Sequence, residues 1–271
     1  MQLNDAPAPI STAEHRISHP QGAMHAQSWW PTHAPNRGAP IVLFHDSLGS
    51  VALWRDFPAA LAAASGRRVI AYDRLGFGRS DARRGRPHLD FIGDEARTYF
   101  PALCEQLELD RYVAFGHSVG GGMAIHCAAE DGACEALITV AAQVFVEDRT
   151  LAGIRDAFEQ FQDPAQLQRL ARYHGDKAPW VFDAWTGCWL DPAFAGWSLA
   201  EVLPRVRCPV LAIHGDLDEF GSPRHPRMIC ERVAGPSQLA VLPDIHHVPH
   251  REDPAQVLAL VSAFLAAADT P

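Results

Sequence analysis

An α/β fold is predicted for this chain: a mostly parallel central sheet flanked by helices, with a helical cap inserted just past its middle. Short apolar runs rich in Val and Ile recur between helix-length segments, the alternation that builds a parallel sheet covered on both faces. That alternation stops once, between residues 143 and 200, where three helix-like stretches follow one another with no strand-like run. The third observation is size and composition. With 271 residues, 48% hydrophobic and 20% charged, the chain can bury one large core and is unlike disordered, collagen-like or coiled-coil sequences.

The leading segments 14–18 and 23–30 read as a pair of antiparallel strands, with Trp29 and Trp30 packing in the core or on the strand face. Segment 41–45 has the continuous apolar character of a strand buried on both faces, and a helix at 54–64 follows it. Strand 68–73 precedes a helix at 91–107. Strand 112–116, with Phe115 in the sheet interior, runs directly into a helix at 119–129, and strand 136–141 ends the first part of the core, 1–143. In the cap, 144–200, helices at 150–161, 164–173 and 179–189 are broken by Asp-Pro pairs. The second part of the core, 201–271, holds strands 209–214 and 238–242 and helices 223–233 and 254–267. Several helices open on Pro or on an acidic first turn, where a missing N–H costs nothing and the helix dipole favours negative charge.

Charge narrows the partners. Lys and Arg number 23 against 32 acidic residues, a net −9, and Lys177 is the single lysine. No basic stripe suggests nucleic acid, and the acidic balance disfavours an anionic membrane surface, so a small molecule is the expected partner. The opening residues lack the basic and apolar regions of a signal peptide, and the longest apolar candidate, 136–146, falls short of the ~18 residues of a span. The six cysteines show no C-x-x-C spacing and sit in apolar periodic segments, which predicts buried free thiols in a reducing cytoplasm rather than disulfides or metal ligands.

The chemistry-bearing motif is Gly116-His117-Ser118-Val119-Gly120. It follows a strand and opens a helix, the context of a G-x-S-x-G nucleophile elbow, in which flanking glycines leave room for a sharp turn holding the serine in a strained backbone conformation. A neutral serine needs a base within hydrogen-bond reach and a carboxylate to orient that base. His246, His247 and His250 compete for the first role, and the acids of His214-Gly215-Asp216-Leu217-Asp218-Glu219 for the second. A metal site on the three histidines is disfavoured, because adjacent histidines point different ways and no carboxylate–cysteine set converges on them.

Three further segments carry a family resemblance. Phe44-His45-Asp46-Ser47-Leu48-Gly49, Asp73-Arg74-Leu75-Gly76-Phe77-Gly78-Arg79-Ser80 and His247-Val248-Pro249-His250-Arg251-Glu252-Asp253-Pro254 lie in the order of an oxyanion loop, a D-x-x-G-x-G-x-S turn and a histidine loop. Over nearly its whole length the chain resembles the α/β-hydrolase fold superfamily, in particular esterases and 3-oxoadipate enol-lactonase-like serine hydrolases. The resemblance implies Ser118 as nucleophile, His247 as base and Asp218 as its partner, with Asp216 the alternative. It implies no cofactor and no metal. The backbone N–H groups of Ser47 and Val119 are the candidates for the oxyanion hole, Val119 being helped by the helix dipole. Asp46 departs from the usual glycine, a departure expected to be tolerated because Asp enters left-handed backbone conformations cheaply. The loop is also similar to the Ser-Asn-Ser-Leu-Gly loop of enol-lactonase-like members, which favours lactones or enol esters.

The cap carries Trp180, Phe182, Trp185, Trp189, Phe194 and Trp197 within eighteen residues. Some of these rings make the cap's own small core; His117, Trp180, Trp185 and Trp189 are expected to line the substrate pocket. The function expected is a metal-free serine hydrolase acting on a small carboxylic ester or lactone. The alternatives are a slow-turnover ligand sensor and, among enzymes, a C–C bond hydrolase or cofactor-free haloperoxidase/perhydrolase. Epoxide and haloalkane mechanisms are disfavoured, since members of that kind place Asp where Ser118 stands.

Overall fold

The computed structural model describes residues 9–32, 38–130 and 132–269, so the opening residues read for a signal peptide lie outside it. Strands β1 (Ile10–Ile17), β2 (Met24–Pro31), β3 (Ile41–Phe44), β4 (Val69–Tyr72), β5 (Tyr112–His117), β6 (Cys134–Val140), β7 (Val210–Gly215) and β8 (Ser237–Leu242) form one sheet, ordered β1-β2-β4-β3-β5-β6-β7-β8. β2 pairs antiparallel with β1 and β4, and every other pair is parallel. β1 begins at Ile10 rather than at residue 14, because the ladder with β2 extends in register to Ile10 opposite Pro31. β8 corrects a second expectation. It is the outer edge of the sheet, and Leu239 and Val241 face solvent instead of being doubly buried.

The helices are α1 (Phe57–Ser65), α2 (Phe91–Asp94), α3 (Phe100–Gln106), α4 (Val119–Glu130), α5 (Asp148–Gln160), α6 (Pro164–His174), α7 (Ala178–Trp189), α8 (Arg224–Arg232), α9 (Pro249–Glu252) and α10 (Pro254–Ala268). Alternation along the strands divides the core between two faces. Ile41, Leu43 and Phe115 pack with Leu61 of α1 and Val257, Val261 and Phe264 of α10, whereas Val42, Phe44 and Ala114 pack with Met123 and Ile125 of α4. The single helix expected over 91–107 is interrupted by a π turn at Glu95–Tyr99. Pro101 explains the break: it has no N–H to give the Arg97 carbonyl, and the ladder widens before it.

From β3 the chain passes outward to β4 and then returns to β5 on the other side of β3. This reversal opens a crevice at the carboxyl ends of the strands, the place where open α/β sheets build sites. The loops after β3, β5, β6, β7 and β8 all leave the sheet at that end.

Helices α5 to α7 form the cap over the crevice. Its neck is a short antiparallel contact, with Phe145 bridged to Ser198, Val146 N–H donating to Trp197 O at 3.2 Å and Leu199 N–H to Val144 O at 2.7 Å. The cap is fastened to the turn after β4 by Lys177, whose Nζ donates to the carbonyls of Gly78 and Ser80, each at 2.8 Å. His174 adds two bonds, accepting from Gly78 N–H at 2.9 Å and facing Leu48 O at 3.0 Å. Among the described residues no helix is long and apolar enough to cross a membrane.

Candidate active site

Ser118 stands between β5 and α4 with φ 55°, a left-handed conformation that a side-chain-bearing residue holds only at a cost of about 1–2 kcal/mol. The flanking glycines are obligatory on distance. A Cβ on Gly116 would lie 2.3 Å from Gly120 O, and one on Gly120 would lie 2.2 Å from Phe44 O. The turn is that tight because β5 and β3 are neighbours and α4 must start directly above them.

Ser118 Oγ lies 3.0 Å from His247 Nε2, and His247 Nδ1 lies 2.9 Å from both carboxylate oxygens of Asp218. Asp218 is fully buried, and its Oδ1 accepts from the N–H groups of Phe220 and Gly221 at 2.7 and 3.1 Å. Burial alone would raise the carboxyl, but the charge and hydrogen bond of His247 hold it below its ordinary value. Burial likewise pulls His247 down, and the Asp218 charge and hydrogen bond outweigh it, leaving the imidazole above its ordinary value. The competing residues stand elsewhere. Asp216 is exposed, and His246 is exposed and paired with Glu252 at 3.1 Å. His250 is buried beneath Trp54 and His117, away from Ser118.

A cavity of about 180 Å³ opens on Ser118 and His247. Its apolar wall is Leu48, Ile154, Trp185, Trp189, Phe220 and Val248; besides Ser118 and His247 its polar lining is Asp46, Ser47, Gln143, Thr150 and Glu219. The Ser47 and Val119 N–H groups have no acceptor among the described residues, and Ser47 borders this space. Asp46 is not among the residues of positive φ, so the left-handed conformation invoked for it is not used. Arg74 steadies this loop instead, donating from Nη2 to Asp46 O at 2.8 Å.

Of the four expected lining residues, Trp185 and Trp189 border the cavity. Trp180 does not: it packs against Gly76 and Phe77 and donates to Gly85 O at 2.8 Å. His117 also lies off the cavity, beneath His247, with Nε2–H donating to His247 O at 2.8 Å. Burial depresses His117 to about 4, so near neutral pH it is an uncharged prop. Phe182, stacked on Phe161 at 4.3 Å, belongs to the cap's own core, whereas Phe194 and Trp197 stack on each other and join the main core, Phe194 lying against Phe91.

Sequence reasoning missed Gln143. Ser118 Oγ–H can donate to Gln143 Oε1 at 3.1 Å as well as to His247, so one proton has two acceptors. Its signal was positional: Gln143 follows the carboxyl end of β6, where side chains of a parallel sheet reach the crevice. Phe220 and Thr150 were missed too; Thr150 donates to Phe220 O at 2.6 Å and ties α5 to the Asp218 loop. Such a set can attack a carbonyl carbon, relay the hydroxyl proton through an imidazole and offer two N–H donors to the oxyanion. Among the described residues no group of three or more His, Cys, Asp or Glu side chains could hold a metal ion.

Residues 41–260 match the model described as the alpha/beta hydrolase family. Over 219 residues the chain is 30% identical to a non-heme chloroperoxidase of Streptomyces lividans, covering 68% of this chain and 76% of that protein. It is 25% identical over 223 residues to the bifunctional esterase/perhydrolase DCH of Acinetobacter calcoaceticus, covering 71% and 78% respectively. A 97-residue stretch is 34% identical to rat (Rattus norvegicus) 1-acylglycerol-3-phosphate O-acyltransferase ABHD5, covering 34% of this chain and only 26% of that relative's length. Among solved structures, a proline iminopeptidase of Mycobacterium smegmatis superposes with TM-score 0.75 at 22% identity, covering 95% of this chain and 99% of the other. The enol-lactonase of Burkholderia xenovorans LB400 superposes with TM-score 0.70 at 21% identity, covering 93% and 100%.

Proposed function

The chain belongs to the alpha/beta hydrolase family, and from that membership we propose that it is a serine hydrolase of small carboxylic esters or lactones. The observation that carries this reading is the continuous relay from Ser118 Oγ through His247 to Asp218, with its nucleophile facing a largely apolar cavity. Ser118 attacks the carbonyl as His247 takes its proton; the N–H groups of Ser47 and Val119 hold the oxyanion. Collapse of the tetrahedral species returns the proton from His247 to the departing alcohol oxygen and leaves an acyl ester on Ser118. Water, deprotonated by the same imidazole, then releases the acid.

A perhydrolase is the second reading, favoured by the likeness to an esterase/perhydrolase and a non-heme chloroperoxidase. In it hydrogen peroxide replaces water at the acyl ester and a peracid leaves. Labelling with a fluorophosphonate, mapping the adduct by mass spectrometry and assaying short acyl esters and lactones tests the proposal. Expected are a stoichiometric adduct at Ser118, sustained turnover, and a loss on the order of 10⁶-fold in kcat in Ser118→Ala. No adduct, or an adduct without turnover, would move the reading to a ligand sensor. Peracid formation from ester and peroxide at rates above hydrolysis would favour the second reading.

A further inference from the structure

Beside the catalytic cavity, and sharing Ser47, Trp185 and Trp189 with it, lies a smaller cleft lined by Arg74, Arg83, Glu95 and Val119. Arg74 is buried, yet among the described residues no carboxylate oxygen comes within 4.0 Å of it. Its guanidinium sits 4.1 Å over the Phe77 ring and reaches the Asp46 carbonyl at 2.8 Å and His45 Nε2 at 3.4 Å; no partner for Nη1 is found among the described residues. Arg83, whose side chain is 14% exposed, meets Asp94 only at 3.6 Å. The one carboxylate lining the cleft, Glu95, is buried and accepts the Tyr72 hydroxyl at 2.8 Å. Burial pushes that carboxyl above its ordinary value, against the pull of Arg74. Buried guanidinium groups are ordinarily paired, so the buried Arg74, bonded only to a carbonyl and an imidazole, converging with the half-buried Arg83, whose pair with Asp94 is long, marks a place for an anion.

On these grounds we propose that the cleft is a carboxylate subsite and that the substrates are esters or lactones whose acyl part ends in a carboxylate, an inference that rests on the hydrolase reading above. The space open to the centres of water-sized groups, about 20 Å³, admits one or two of them, which suits a carboxylate. A planar guanidinium fork matches that group in geometry as well as charge. The side of the ester is fixed by the relay. His247 borders the larger cavity and not the cleft, and the alcohol oxygen must meet His247; Val119, an oxyanion donor, borders the cleft. The acyl chain therefore runs past the oxyanion donors toward Arg83.

The test compares 4-nitrophenyl half-esters of succinate, glutarate and adipate with 4-nitrophenyl butyrate, valerate and hexanoate, carbon for carbon. The protein's net charge of −9 should by itself disfavour the anionic set, so a preference for it cannot come from bulk attraction. Expected is a kcat/KM advantage of about tenfold or more for at least one half-ester, carried mainly by KM, the worth of one charge-assisted hydrogen bond. Arg83→Gln should collapse the advantage and Arg83→Lys restore part of it, with circular dichroism checking the fold of each. No advantage, or one indifferent to Arg83→Gln, overturns the subsite. Failure of the hydrolase reading looks different: neither set turns over and Ser118 takes no fluorophosphonate. The subsite is then judged by thermal shift with glutarate and succinate, which should stabilise the wild type more than Arg83→Gln; no such difference overturns it.

Discussion

His247 must be without its proton before it can take one from Ser118. Because Asp218 holds the imidazole above its ordinary 6.5, kcat/KM should fall as pH falls through a midpoint above 6.5. Asp218→Asn removes the raising charge and leaves the burial that lowers, so the midpoint should move below 6.5 while kcat drops on the order of 10⁴-fold. Asp216→Asn, on an exposed side chain, should change neither. A pH–rate profile of the three proteins decides it, and an unmoved midpoint in Asp218→Asn would remove Asp218 from the relay. At this scale the sequence was legible where the constraint is local. The elbow around Ser118 is such a case at Gly116, which the backbone of Gly120 demands from within five residues, whereas Gly120 answers to Phe44 on the neighbouring strand. Gln143, Arg74 and Arg83 were not legible as site residues, because nothing in their own neighbourhoods says that β6, the turn after β4 and the segment beyond it meet at one crevice.

In the elements, α7 shows where counting aromatic rings misleads and phase informs. Trp185 and Trp189 are an i, i+4 pair on one helical face, whereas Trp180 lies five residues back, about 140° away at 3.6 residues per turn. It therefore packs on the turn after β4 while its neighbours face the cavity. The same turn holds the cap through Lys177, and no motif advertised that role. Lys177→Met should leave the carbonyls of Gly78 and Ser80 without their donor, cost about 1–3 kcal/mol in urea unfolding and speed amide exchange in α6 and α7. Unchanged exchange in those helices would show that His174 and apolar packing hold the cap alone. The interruption between α2 and α3 was foreshadowed by Pro101, while the exposure of β8 was not: a strand's sequence does not say whether a further strand lies beyond it.

For the molecule as a whole, burial holds His15, His25, His45, His117, His126, His174, His214 and His250 below their ordinary values. The unfolded chain takes up these protons near pH 6.5, the folded one only further down, so the unfolded state binds more protons in between and stability falls with pH. His117, depressed to about 4, contributes on the order of 3 kcal/mol to that loss, whereas His247, shifted upward, opposes it. The melting temperature should therefore start to fall below about pH 6.5, before most carboxylates titrate. Calorimetry across pH 5–7 checks this, and a flat melting temperature would contradict it. The neck at Phe145 and Ser198 bears on the molecule differently. Chain enters and leaves the insertion side by side, and doubling the length of a closed loop costs only about 0.6 kcal/mol, so caps of very different size fit one core at nearly equal stability. Ser118, Asp218 and His247 all lie outside the insertion, while Ile154, Trp185 and Trp189 lie within it. The cap is in that sense a cassette, through which descendants of this chain can exchange the lining of the cavity while Ser118, Asp218 and His247 are inherited intact.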